Sequence, residues 1–152
     1  YDGVVIPQIM YLDGDRSAAI RDDGFTLYKG SQVPKEVETI KVDKEIVSTF
    51  YDDNIIGLVF KNGDKDKPYT MRGYSTDGSL KFEKKFNIPY TTIKASDGNI
   101  LLYNSSQISV MNSRGVEKYS GTVDGTISNF IKTGWNRYLL VLDNGVDVIK
   151  LS

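Results

Sequence analysis

The chain contains neither cysteine nor histidine. Without cysteine there is no disulfide, thiolate nucleophile, Cys-ligated zinc or iron–sulfur cluster. Without histidine the commonest general base, the usual partner of a serine nucleophile and the commonest transition-metal ligand are gone. No apolar run approaches the ~20 residues that span a bilayer, and no signal-peptide pattern is visible. The lack of cysteine suits a reducing cytoplasm and equally a bacterial exterior where disulfides are not used, so it leaves the compartment open. Neither sign of charge dominates: 19 Lys and Arg face 20 Asp and Glu in 152 residues, with no long block of one sign. Such a balance creates no field that steers a chain toward phosphate backbones or anionic lipid heads. Nucleic acid and membrane surface are therefore not expected as partners of these residues. A start at Tyr1 instead of Met is expected of a piece of a longer protein, whose targeting signals would lie elsewhere.

What is present is strand signal. Residues 6–12, 46–51, 55–60, 69–74, 100–103, 127–131, 138–142 and 146–151 are rich in β-branched and aromatic side chains. Most are bounded by turn dipeptides: Asp13-Gly14, Asp23-Gly24, Asn62-Gly63, Asp77-Gly78, Asp97-Gly98, Arg114-Gly115, Asp124-Gly125 and Asn144-Gly145. Asn-Gly and Asp-Gly supply the positive φ that tight hairpins need, so the spacing predicts consecutive antiparallel strands. No stretch keeps an apolar period of 3.6. Residues 35–45, helix-like in composition, alternate as a strand does.

The strands repeat. Segments starting at Arg16, Asn54, Asn99 and Arg137 each follow a turn and open an apolar second strand, with starts 38, 45 and 38 residues apart. A third strand follows each, and in the two middle copies a Gly-containing turn leads to a fourth, as in 79–86 and 116–123. The long step is explained by an extended turn over 61–68. A period of roughly 40 residues with four strands per unit is the mark of a propeller blade. The fold expected is all-β: a propeller or partial propeller of about four antiparallel four-stranded blades, approximately 7–43, 44–87, 88–124 and 125–152. Inner strands such as 100–103 and 139–142 are continuously apolar, as burial on both faces requires. Outer strands such as 80–86 carry charge, which discourages edge-to-edge pairing.

Residues 74–82, Tyr-Ser-Thr-Asp-Gly-Ser-Leu-Lys-Phe, are echoed by 111–119, Met-Asn-Ser-Arg-Gly-Val-Glu-Lys-Tyr. This unit resembles the junction of third and fourth strands in quinoprotein-like and WD-repeat-like bacterial propellers. The whole chain looks like the C-terminal half of a membrane-anchored bacterial propeller family of unknown function. That resemblance implies an anchor upstream and a propeller at the outer face of a bacterial membrane, or secreted. The pattern departs from its models: no Trp-Asp dipeptide ends a strand, and a single Trp cannot supply one docking Trp per blade. No pyrroloquinoline quinone or other cofactor is expected.

The fourth copy stops after its third strand, and residues 4–6 precede the first copy as an unassigned strand. Either 4–6 pairs with 146–151 and closes a small ring, or 4–6 is the outer strand of a preceding blade and the chain is half of a larger ring. The second is preferred, because propellers carry about four to eight blades and four is the low extreme. A half-ring leaves apolar faces open, so a protein partner or self-association is expected.

Chemical motifs are weak. Asp13/Asp15 and Asp64/Asp66 space carboxylates as a calcium loop does, but neither continues with the remaining ligands, and they read as solvated turn residues. Asp22-Asp23 and Asp52-Asp53 are adjacent acids whose side chains point apart, unlike a glycosidase pair. Asn104-Ser-Ser106 matches the glycosylation sequon, which has meaning in a eukaryotic secretory setting. The ten Tyr suit a sugar-stacking groove or, more commonly, blade-edge packing. No catalytic or metal residue is assigned. Trp135, in a turn between Gly134 and Asn136, is the one binding candidate: exposed, it marks a contact site; buried, it docks a blade. The function expected is a non-catalytic binding or scaffold module. The alternative is a carbohydrate-binding or hydrolytic propeller whose site lies partly in blades outside this chain.

Overall fold

The computed structural model describes residues 8–12, 14–52 and 54–151. The strand proposed over residues 4–6 lies outside them. Fifteen strands form four antiparallel sheets and no helix occurs among the described residues. Sheet 1 joins β1 (Gln8–Tyr11), β2 (Arg16–Arg21), β3 (Gly24–Lys29) and β4 (Lys35–Lys41) in chain order. Sheet 2 joins β5 (Ile46–Tyr51), β6 (Ile56–Lys61), β7 (Tyr69–Tyr74) and β8 (Leu80–Phe86). Sheet 3 joins β9 (Thr92–Ser96), β10 (Asn99–Tyr103), β11 (Gln107–Asn112) and β12 (Glu117–Thr122). Sheet 4 has three strands, β13 (Ile127–Gly134), β14 (Arg137–Leu142) and β15 (Gly145–Lys150). The chain divides into two compact units, residues 1–87 and 88–152.

Every pairing is between neighbours in sequence, so each sheet is built from local hairpins with short loop closures. The two junctions singled out by sequence fold alike. In one, Gly78 donates to the Ser75 carbonyl and Ser75 to that of Ser79; in the other, Gly115 donates to Asn112 and Asn112 to Val116. Both glycines have positive φ, +94° and +74°, which a Cβ would oppose. The side chains below each turn also agree: Asp77 accepts from the Ser75 hydroxyl and the Ser79 amide, and Asn112 accepts from the amides of Arg114 and Val116. These bonds hold the Asp77 carboxyl down at about 2.

Burial follows strand position. In sheet 3, β10 is buried at every residue while β12 is largely exposed; in sheet 2, β6 is buried up to Lys61 while β8 alternates. In the first unit, Met10, Ala18, Ile20, Phe25 and Leu27 of sheet 1 pack on Ile56, Leu58 and Tyr74 of sheet 2. Phe25 and Tyr74 meet edge to face at 5.1 Å. Each buried Leu, Ile, Met or Phe among them contributes about 1.5–3 kcal/mol by leaving water, and Ala18 less. This packing corrects the sequence register of the second copy by one residue. Starting the copy at Asn54 sets Ile56 and Leu58 level with Ala18 and Ile20, yet they occupy the opposite face, toward sheet 1. Sheet side chains alternate, so a slip of one exchanges the faces.

Sheet 2 contains a row no single-strand reading reveals. Phe50, Gly57, Gly73 and Phe82 lie opposite one another across all four strands. The Phe50 ring occupies the space a Cβ on Gly57 would take, and the Phe82 ring does the same at Gly73. Two rings thus lie flat over two glycines.

In the second unit, Leu101, Tyr103, Ile108 and Val110 of sheet 3 pack on Phe130, Tyr138 and Leu140 of sheet 4. The rings of Tyr103, Phe130 and Tyr138 form a chain, with centroids 6.2 Å and then 5.6 Å apart.

Candidate functional site

The β13–β14 hairpin positions Trp135. Lys132 pairs with Tyr138 and Gly134 with Arg137, leaving Thr133 as a bulged extra residue. A bulge bends its strand and turns the next residues in a new direction. Trp135 and Asn136 then form the connecting turn, and Asn136 takes a left-handed φ of +52°, which Asn tolerates better than most side chains. The turn is braced from two sides. Lys118 Nζ on β12 donates to Asn136 Oδ1 at 3.0 Å, and the Leu151 amide donates to the Asn136 carbonyl at 2.8 Å. Trp135 stands 88% exposed above this support. Exposed cations flank it: Lys118, Arg137 and, directly opposite Arg137 in the pairing, Lys150.

Behind the turn the two sheets of this unit are tied by polar links. Lys132 reaches Asp97, with Nζ 3.1 Å from Oδ2 and 3.0 Å from the carbonyl oxygen. Lys94 donates to Asn129 Oδ1 at 3.1 Å and lies 5.5 Å from the Tyr103 ring centroid. Partial burial lowers the Lys94 pKa. Tyr138 is fully buried and its hydroxyl has no hydrogen-bond partner in the structure; burial, then the charge of Asp97, raises its pKa. Sequence reading missed all of these, because nothing within a strand says which residue of the next sheet it will face.

The other candidates resolve into turn chemistry. Asp64 accepts from the amides of Asp66 and Lys67 and is itself held by the Asn62 side chain, closing the 61–68 turn on its own polar groups. Those two amides lower the Asp64 pKa. Asp52 accepts from the amides of Asn54 and Ile55, while its neighbour Asp53 lies outside the described residues. Asp23 pairs with Arg21 at 3.0 Å and Asp22 is exposed. Asp13 is outside the described residues, and Asp15 lends its carbonyl to the Gly30 amide. Asn104 accepts from the amides of Ser106 and Gln107 and donates to the Pro89 carbonyl and the Gln107 side chain, so its amide is spent on the β10–β11 turn and on the segment before β9. Among the described residues no group of three His, Cys, Asp or Glu is placed to hold a metal ion. No helix among them is long and apolar enough to cross a membrane.

The model of a family of unknown function, DUF5711, matches residues 1–151. The chain belongs to that family. No curated protein matches this DUF5711 chain. Solved structures do, as folds. One is BBS1N in complex with ARL6DN, at a TM-score of 0.63 and 13% identity over 99% of this chain and 52% of that one. Another is HIRA, at 0.66 and 12% over 93% and 51%. A third is BamB from Moraxella catarrhalis, at 0.57 and 11% over 93% and 41%. All three are β-propeller proteins. The DUF5711 chain therefore has the propeller type of fold, in sheets of three and four strands, and spans about half the length of the structures it matches.

Proposed function

We propose that this chain is a non-catalytic protein-binding module whose contact is anchored by Trp135. The observation that carries the reading is a nearly fully exposed indole on a turn braced by Lys118 and Leu151. Tryptophan is the residue type most enriched among energetic anchors of interfaces, and a pre-braced turn costs little entropy on binding. With Lys118, Arg137 and Lys150 beside it, the complementary surface is an apolar pocket with an acidic rim. The BBS1N propeller, solved with a second protein bound, supports protein binding as a use of this fold. The module is assigned to the outside of a bacterial cell, at the membrane face or secreted, in keeping with the resemblance drawn from its sequence.

The test selects a phage-displayed random peptide library on the immobilised chain. Expected is a consensus of acidic residues around a large apolar one, with affinity lost by tenfold or more in Trp135→Ala and reduced by added salt. Peptides that bind Trp135→Ala equally well would overturn the reading. Retention on a glycan array that depends on Trp135 would favour the carbohydrate-binding alternative.

A further inference from the structure

The outer strands of the three four-stranded sheets begin alike. Each carries one extra residue near its start: Val37 in β4, Lys81 in β8 and Lys118 in β12. Beyond that bulge they differ. β4 goes on with Glu38 and Lys41, and β8 with Glu83, Lys84 and Lys85, charges of the kind that keep an open edge from pairing with another chain. β12 goes on with Tyr119, Ser120, Gly121 and Thr122, none of them charged. Its two charged residues, Glu117 and Lys118, precede this run, and Lys118 is engaged with Asn136 Oδ1 at 3.0 Å.

Register decides which backbone groups of the run face outward. β12 ends the strand order of sheet 3, with β11 on its inner side. The Val123 amide donates to the Ser106 carbonyl at 2.8 Å, one step along the ladder from the Thr122 and Gln107 pair. Antiparallel bonding alternates, so Tyr119 and Gly121 turn their amides and carbonyls toward β11, while Ser120 and Thr122 turn theirs away. Ser120 and Thr122 are both exposed. Tyr119 shares a row with Leu101 and Val110, the row that packs on sheet 4. A strand laid against β12 would therefore present every second side chain on the side of sheet 4, and the Lys118 link brings that edge to the turn that carries Trp135.

We propose that Tyr119–Thr122 accepts an extended acidic segment of a partner protein as a fifth strand of sheet 3. The inference rests on the Trp135 contact proposed above and names the form of the partner that makes it. Backbone bonds to Ser120 and Thr122 hold the segment, and its side chains give the selection, a large apolar one covering the indole and acidic ones meeting the cations that flank it. Bonds to the main chain fix the segment in register without asking for a particular sequence opposite Ser120 and Thr122.

The probe is the capped synthetic peptide Thr-Glu-Thr-Phe-Thr-Glu-Thr, whose threonines favour an extended strand and whose acids and ring share one side. Amide hydrogen exchange in the intact chain is followed by NMR, without peptide and with peptide at saturation. The Ser120 and Thr122 amides are expected to exchange readily in the free chain and to slow tenfold or more in the bound one, with Tyr119 and Gly121 little changed. Affinity is expected to fall tenfold or more in Trp135→Ala. A peptide that binds, is lost in Trp135→Ala and leaves Ser120 and Thr122 at their free rates would overturn the added strand while the Trp135 contact stands. Protection of Ser120 and Thr122 that is undiminished in Trp135→Ala would uphold the added strand and overturn the anchor. Slow exchange of both amides in the free chain, or a peptide that does not bind, would overturn the inference.

Discussion

Gly57 and Gly73 are the residues at which the sheet tolerates least. A methyl on Gly57 would sit about 2 Å from the Phe50 ring, and the ring is held in a buried position. Gly57→Ala is expected to lower stability by about 1–3 kcal/mol in urea unfolding, as overpacking does; a change under about 0.5 kcal/mol would show the ring is free to move away. Tyr138 predicts the opposite sign. Its buried hydroxyl lacks a partner, so Tyr138→Phe removes a desolvation cost of about 1–3 kcal/mol while keeping the ring packing on Phe130. Stability should be equal or higher. The raised pKa also sets a pH dependence. The folded state holds the phenolic proton beyond the ordinary value near 10, so this group's contribution is present below that value and lost as pH rises through the folded one. Thermal melts above pH 10 should therefore fall more steeply for the native chain than for Tyr138→Phe. Neither site was legible in the sequence, because a glycine's cross-strand neighbour and a tyrosine's burial are fixed by register.

Among the elements, the strands were the legible part. Asp-Gly and Asn-Gly dipeptides between β-branched runs placed β5 to β8, β10, β14 and β15 within a residue or two, while β13, read as 127–131, runs three residues further to Gly134; charge marked β8 as an outer strand. β9 was passed over: Thr-Ile-Lys-Ala-Ser lacks a continuous apolar run, and its pairing with fully buried β10 makes it a strand. The register of the second copy was off by one because turn spacing counts residues without saying which face they take. The β13–β14 turn carries its own prediction. Asn136→Val puts a β-branched residue at φ +52° and removes the acceptor for Lys118, so a loss of about 1–2 kcal/mol is expected by thermal melting. Asn136→Gly should cost less, since the backbone conformation is retained. Equal losses for the two would mean that the left-handed turn is not what holds the hairpin.

At the scale of the molecule, the chain is four sheets of locally paired strands, and an exposed indole stands on a hairpin of the fourth. The repeat period was readable because each unit is local; the solvent exposure of Trp135 was not, because a Trp next to Gly serves equally as a wedge between sheets. The chain has a single Trp, so its fluorescence reports this position alone. The most direct measurement is acrylamide quenching of that fluorescence, first in the free chain and then saturated with a selected acidic peptide. Red-shifted, readily quenched emission is expected in the free folded chain, and blue-shifted, shielded emission once the peptide is bound. Emission already shielded in the free chain would contradict the exposed anchor at Trp135.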